Sequence, residues 1–172
     1  MAKRKPKWPA NKVEKRKVAD LVPYARNART HSEEQVAQIV ASIEEFGWTM
    51  PVLIDPEGEI IAGHGRIMAA EKLGLAEVPA IVARGWSEEQ KRAYRIADNQ
   101  LALNAGWDFD ILASEMADLK LGDFDLPVIG FDDVALADLL KSPAPDSFPE
   151  YGEDIETEHT CPKCRYKWSG NA

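Results

Sequence analysis

The sequence predicts an α+β domain of about four strands and four or five helices over residues 18–140, a small mixed sheet with flanking helices. Three observations carry this. Residues 33–46 repeat apolar side chains at helical spacing. "PVLIDPEGEIIA", residues 51–62, reads as two apolar strands around a Pro-Glu-Gly turn. A second helical stretch, about 88–103, opens on a Ser-x-x-Gln cap.

In chain order, residues 1–17 form a basic arm expected to be disordered, and Val18–Val22 a short strand that Pro23 ends. In "HSEEQVAQIVASIEEFG" Val36, Ile39, Val40, Ile43 and Phe46 share a helix face, Ser32 and Gln35 fit a capping box, and Gly47 closes the helix. After the hairpin, "RIMAAEKLG" is a short helix ended by Gly74, and "EVPAIVARG" a further strand. Ser87 and Gln90 cap the long helix. "WDFDILASEMADL" presents Ile111, Leu112, Met116 and Leu119 on one face, and "GFDDVALADLL" starts a last helix behind Asp132. Residues 141–158 read as a linker. Residues 159–172 read as a Cys/His segment resembling half a zinc knuckle.

The chain has 172 residues, 45% of them apolar and 29% charged, ordinary for a globular protein. No apolar run approaches the ~20 residues that cross a bilayer, so no membrane contact is expected. The basic start is not followed by an apolar stretch, so no secretory signal is expected and a cytoplasmic setting is the expectation. Residues 1–17 hold eight Lys or Arg against one Glu, so the remainder, with 13 basic and 28 acidic groups, carries −15. Such a body repels nucleic acid, and the arm could supply DNA contact or simply be a solubilising tail.

The strand-to-helix junction Gly63-His64-Gly65-Arg66 has the form of an anion cradle: glycines, a helix N-terminus and a guanidinium. A bare tight turn is the plain alternative. A dinucleotide fingerprint would need Gly or Ala where Met68 stands, and no Walker A loop is present. On the long helix, Arg92, Arg95 and Asn99 fall on one face with Asp98 beside them, a mixture suited to phosphate and Mg²⁺ or to a surface stripe of ion pairs. Arg26, Asn27, Arg29, Thr30, His31 and Ser32 crowd the loop before the first helix, as anion donors or as turn and cap residues. Cys161 and Cys164, with His159 nearby, supply at most three of the four ligands of a structural Zn²⁺. The site is completed by another chain, or the segment holds no metal.

The order N-x-R, P-V-L-I-D, I-I-A-G-H-G-R, V-P-A-I-V, I-A-D-N-Q over about residues 17–140 resembles the ParB N-terminal domain of the ParB/sulfiredoxin fold, in the form found in phages, mobile elements and methyltransferase fusions. The resemblance implies a nucleoside-triphosphate site for CTP or ATP with Mg²⁺. The family's G-E-R-R segment is similar to Gly63-His64-Gly65-Arg66, its E-N-x-Q segment to Asp98-Asn99-Gln100-Leu101, and its N-P-R loop to Asn27-Ala28-Arg29. Phosphate contacts are thereby expected from Asn27, Arg29, Gly63, His64, Gly65, Arg66, Arg95 and Asn99. Asp98 and Asn99 are expected at Mg²⁺, and His64 is the candidate catalytic residue. Sulfiredoxin has cysteine where His64 stands, so its chemistry is not expected. The expected function is a triphosphate-binding homodimeric protein, with or without hydrolysis, tied to DNA segregation, or to a DNA-modification or packaging partner. A kinase or a ParB-like nuclease of the same fold are the alternatives. Residues 108–140, short and acidic, are not expected to form the helix-turn-helix domain of partitioning ParB proteins.

Overall fold

The structure, a computed structural model, describes residues 12–141 together with 159–160, 162 and 167–168. The elements are β1 (Val13–Lys17), α1 (Glu33–Phe46), β2 (Val52–Ile54), β3 (Ile60–Ala62), α2 (His64–Lys72), β4 (Glu77–Val82), α3 (Glu88–Leu103), α4 (Phe109–Leu121), α5 (Asp133–Lys141), β5 (His159–Thr160) and β6 (Lys167–Trp168). Short 3-10 turns occupy Val18–Asp20 and Leu126–Ile129.

One mixed sheet runs in the order β1-β4-β2-β3. β2 and β3 pair antiparallel as the expected hairpin, and β2 lies parallel to β4, with β3 and α2 forming the crossover. β4 alternates in burial, placing Val78, Ala80 and Val82 on the covered face. They join Leu21, Val52, Ile54, Ile60, Ile67 and Ala70 in the core, with Val18 and Trp48 packed against it. Burying each large aliphatic side chain contributes about 1.5–3 kcal/mol. α1 packs on α2 and on the turn at Leu126–Ile129, and buries Val36 most deeply.

Two expectations at the start of the chain are corrected. Residues 13–17 are a strand rather than part of a free arm, paired antiparallel with β4 from Val13↔Ile81 to Lys17↔Glu77. The edge of β4 offers unpaired backbone groups, and a Lys-rich strand is a normal way to cover such an edge. Lys17 lies opposite Glu77, and Glu14 pairs with Arg16 at 2.7 Å and with Lys12 at 3.2 Å. Residues 1–11 lie outside the described residues. Val18–Val22 is a 3-10 turn followed by one parallel bridge, Val22↔Glu59, rather than a strand.

The caps explain where the helices begin. Ser87 accepts from the Gln90 N–H and the Gln90 side chain accepts from the Ser87 N–H, a complete capping box. At α1 the box is half made. Ser32 caps Gln35, but the Gln35 side chain turns to His31 instead. Asp108 and Asp132 cap α4 and α5. β5 and β6 pair antiparallel, with His159 opposite Trp168. Cys161 and Cys164, which lie between these strands in the chain, fall outside the described residues. No described helix is long and apolar enough to cross a membrane.

Candidate functional site

α3 has only two buried residues, and both are cations, Lys91 and Arg95. Lys91 donates to Asp55 at 2.8 Å and to Glu88 at 2.6 Å. Asp55, at the end of β2, also accepts the N–H groups of Glu57 and Glu59, which shapes the Pro-Glu-Gly turn. Burial pushes the Asp55 carboxyl up, but the Lys91 ammonium and the two backbone donors outweigh it and hold the group below the usual carboxylate range. Hydrogen bonds from Asp55 and Glu88 raise Lys91 above its ordinary value against the cost of burial. This pair anchors α3 to the hairpin. Sequence reading missed it, because the two residues lie 36 positions apart and no local signal pairs them.

Arg95 lies one turn further on. Its Nε donates to the Ile60 carbonyl at 3.1 Å and one Nη to Glu59. The Tyr24 ring covers the guanidinium, with its centroid 3.7 Å from Cζ. The other Nη is buried without a hydrogen-bond partner among the described residues. Arg95 was expected at phosphate, and in the structure its Nε and one Nη are already engaged by Ile60 and Glu59. Tyr24, also missed, carried no sequence signal beyond its place beside the arginine-rich loop.

That loop is shaped by Asn27. Its side chain accepts the Arg29 N–H at 3.3 Å and donates to the Arg29 carbonyl at 3.0 Å, and its own N–H bonds the Tyr24 carbonyl. The Asn27 amide therefore sets the loop, and Arg29 carries the free charge. Beside it, a cleft of ≈ 290 Å³ lies between Tyr24–Arg29 and α3, with Arg26, Arg29, Arg92 and Arg95 in its walls.

The Gly-His-Gly-Arg junction forms the next part of the same groove, a ≈ 170 Å³ cleft that shares Asn27, Arg29 and Asn99 with the first. α2 begins at His64, earlier than its apolar pattern suggested, with Gly63 as N-cap at φ 99°. This left-handed conformation favours glycine. A Cβ there would also stand 2.9 Å from Val52 Cγ1 and 3.2 Å from the Arg66 guanidinium. Gly65 has a different reason. Its Cβ would meet Ile39 Cδ1 at 2.9 Å and the His31 ring at 3.0 Å, so Gly65 lets α1 approach α2. We expect Gly65→Val to cost roughly 1–3 kcal/mol in urea unfolding and Gly65→Ala less. An unchanged midpoint for the valine variant would contradict this contact.

Arg66 is half engaged. One Nη donates to the carbonyls of Met50 at 2.6 Å and Pro51 at 3.3 Å, which leaves the rest of the fork beside Gly63. Burial lowers its pKa from the ordinary arginine value, and the Asp98 carboxylate opposes this. His64 accepts the Tyr24 N–H at Nε2, at 3.4 Å, so Nδ1 carries its proton. Burial first, then the charges of Arg95 and His31, push His64 down to about 4, so it is neutral near pH 7. Asn99 donates to the Arg95 carbonyl at 2.8 Å, which leaves its oxygen as an acceptor beside the exposed Asp98. Among the described residues no three His, Cys, Asp or Glu side chains gather as a metal site. Asp98 and the Asn99 oxygen suit a Mg²⁺ ion that arrives with phosphates, which needs only one or two protein oxygens. The structure thus brings Asn27, Arg29, Gly63, His64, Gly65, Arg66, Asp98 and Asn99 to one cleft, with Arg95 in the wall of the next.

Residues 3–100 match the family model described as the ParB N-terminal domain. Residues 110–161 match the ParB-methyltransferase HTH domain. The second match corrects the expectation that this region is too short for a helix-turn-helix domain; it starts in α4 and runs through α5 to the start of the Cys/His segment. The chain is 63% identical over 81 residues to the ParB-like nuclease domain-containing protein YnaK of Escherichia coli (strain K12), covering 47% of this chain and 93% of that protein. It is 35% identical over 91 residues to Stage 0 sporulation protein J of Bacillus subtilis (strain 168), covering 51% of this chain and 32% of that one. Among solved structures it is similar, with TM-score 0.56 and 26% identity, to the C-terminally truncated chromosome-partitioning protein ParB from Caulobacter crescentus complexed with CTP-γ-S, over 63% of each chain.

Proposed function

The chain belongs to the ParB N-terminal domain family, and we propose that it binds a nucleoside triphosphate with Mg²⁺ in the groove between the Tyr24–His31 loop, the N-terminus of α2, and α3. The observation that carries this reading is the continuity of the two clefts. A helix N-terminus with unpaired N–H groups opens directly onto four arginines, one of them buried with a free Nη. The CTP-γ-S complex of the Caulobacter relative supports the ligand class.

In this reading Arg29, the free part of the Arg66 fork and the N–H groups of α2 hold phosphate. Gly63 and Gly65 keep that helix end open and close to α1. Asp98 and the Asn99 oxygen would hold Mg²⁺, which offsets phosphate charge. His64 donates Nδ1–H to an anion or a water. The bound state then governs contact with a second copy, with DNA through residues 110–161 or the basic arm, or with a DNA-modification or packaging partner. Among the described residues Asp98 is the one carboxylate lining the cradle cleft. Metal nucleases surround their ions with several carboxylates, and a kinase needs a base beside its acceptor, so binding ranks above both. Cys161, Cys164 and His159 remain a candidate half-site for Zn²⁺.

Calorimetric titration with CTP, ATP, GTP and UTP, with and without Mg²⁺, tests the reading, with released phosphate followed in parallel. We expect Mg²⁺-dependent binding of at least one nucleotide and a loss of about tenfold or more in Arg29→Ala, the size of one charge-assisted contact. Failure of all four to bind would sink it. Turnover only with an added acceptor would replace it with the kinase.

A further inference from the structure

The helices α4 and α5 have the wrong charge for holding DNA. Residues 107–140 carry nine Asp or Glu against one Lys, a net charge of −8. Of these acids only Asp138 has an ion-pair partner among the described residues. Such a surface repels a phosphate backbone. We propose that the exposed aromatic face at the start of these two helices instead takes a basic protein segment, the N-terminal arm (residues 1–11) of a second copy of this chain. The inference stands independently of the nucleotide reading.

Trp107 and Phe131, with ring centroids 6.1 Å apart, join the starts of α4 and α5. Trp107 and Phe109 are each 63% exposed and Val134 is 72% exposed. Asp108 and Asp132 cap the two helices, and Asp110 and Asp133 lie in their first turns, which explains the carboxylates. Capping gives no use to Trp107 and Phe109, which stay in water beside them. An apolar centre with an anionic collar fits a cationic segment that carries an aromatic anchor. The arm has that chemistry: Lys3, Arg4, Lys5 and Lys7 lead to Trp8, with no acidic residue among them. Pro6 and Pro9 on either side reduce the freedom lost on binding. The arm of the same copy falls short. It joins β1 at Lys12, next to Val13 and its partner Ile81, at the end of the sheet where β2 finishes. The aromatic face lies toward the other end, where Val128–Gly130 face Trp48–Met50 ahead of β2. Trp8 is four residues from Lys12, about 14 Å at full stretch. Residues 50–54 alone span about 13 Å, and the two strand spacings from β1 to β2 add about 10 Å at right angles.

Sedimentation velocity of the full chain, without nucleotide and at low and high salt, tests this. The parent should associate as its concentration rises and dissociate as salt screens the charges. Trp8→Ala and Trp107→Ala should each weaken the association by about tenfold or more. Two reversed proteins, Lys3→Glu with Lys5→Glu and Asp110→Lys with Asp133→Lys, should each associate poorly alone. Mixed together they should recover much of the association, because an intact arm then meets an intact face and the reversed arm meets the reversed face. No contact within one chain responds to mixing. Circular dichroism checks that the reversed proteins are folded, and if the Asp110, Asp133 variant is not, Trp107→Ala tests the face in its place. A parent that stays monomeric, an association indifferent to Trp8 and Trp107, or folded reversed proteins that do not recover on mixing would overturn the proposal. Duplex DNA bound by the Lys3→Glu, Lys5→Glu protein and released by adding Trp107→Ala would also overturn it, by placing nucleic acid on this face.

Discussion

Asp55→Ala is expected to destabilise the domain by about 3–5 kcal/mol, the cost of leaving a buried ammonium without its counter-charge. Lys91 and Asp55 are among the few charged residues excluded from water. Glu88 remains as a partner, but it is largely exposed and holds Lys91 only from its solvent side. Against a total stability of about 5–15 kcal/mol for a typical domain, the loss leaves much of the protein unfolded on warming. The paired change Asp55→Ala with Lys91→Met should recover much of it, because no charge is then stranded. Urea unfolding of the parent, the single and the double variant measures this. A cost below 1 kcal/mol for the single variant would show that the pair does not anchor α3. The same variant should also weaken nucleotide binding, since Arg92, Arg95, Asp98 and Asn99 ride on that helix.

Stability should also fall between about pH 6.5 and pH 4, by about 2–3 kcal/mol, on account of His64. Its folded pKa is about 4, depressed from 6.5 by burial and by the neighbouring charges of Arg95 and His31. A depressed folded pKa means that the unfolded chain binds the proton more readily. The stability is therefore complete above pH 6.5 and is lost as the pH falls toward 4. Asp55 acts in the same direction but only below the ordinary carboxylate value of 3.8, so the two windows separate. His64→Gln should flatten the upper window and leave the lower one. Equal slopes in parent and variant would remove His64 as the cause. A bound triphosphate places negative charge near this ring and favours its charged form, so binding should take up a proton as the pH falls toward 4. The buffer dependence of the calorimetric heat reads that proton directly.

How much of this was legible beforehand depends on how local each feature is. α1 and α3 were placed to within a residue or two because their apolar spacing and Ser caps are signals carried by the helix itself. The β2–β3 hairpin was legible for the same reason, since its turn sits between its strands. β1 was not. "VEKRK" has no apolar alternation, and it becomes a strand only because β4 offers an edge 60 residues later in the chain, with Lys17 opposite Glu77. The helices of residues 108–140 were read correctly, but their shortness and acidity hid the match to the ParB-methyltransferase HTH domain.

The site divides along the same line. The order of the motifs, through their resemblance to the ParB N-terminal domain, marked the loop at Asn27–Arg29, the junction at Gly63–Arg66 and the pair Asp98–Asn99 as parts of one site. Only the tertiary structure decided which donors are free within it. Asn27 spends its amide on the loop, Arg66 one Nη on Met50 and Pro51, and Arg95 its Nε and one Nη on Ile60 and Glu59 beneath the Tyr24 ring. Gly65 answers to the approach of α1. Residue identity states which hydrogen bonds a side chain can make. Whether a backbone carbonyl from another element has already taken them depends on packing, which brings together positions far apart in the chain.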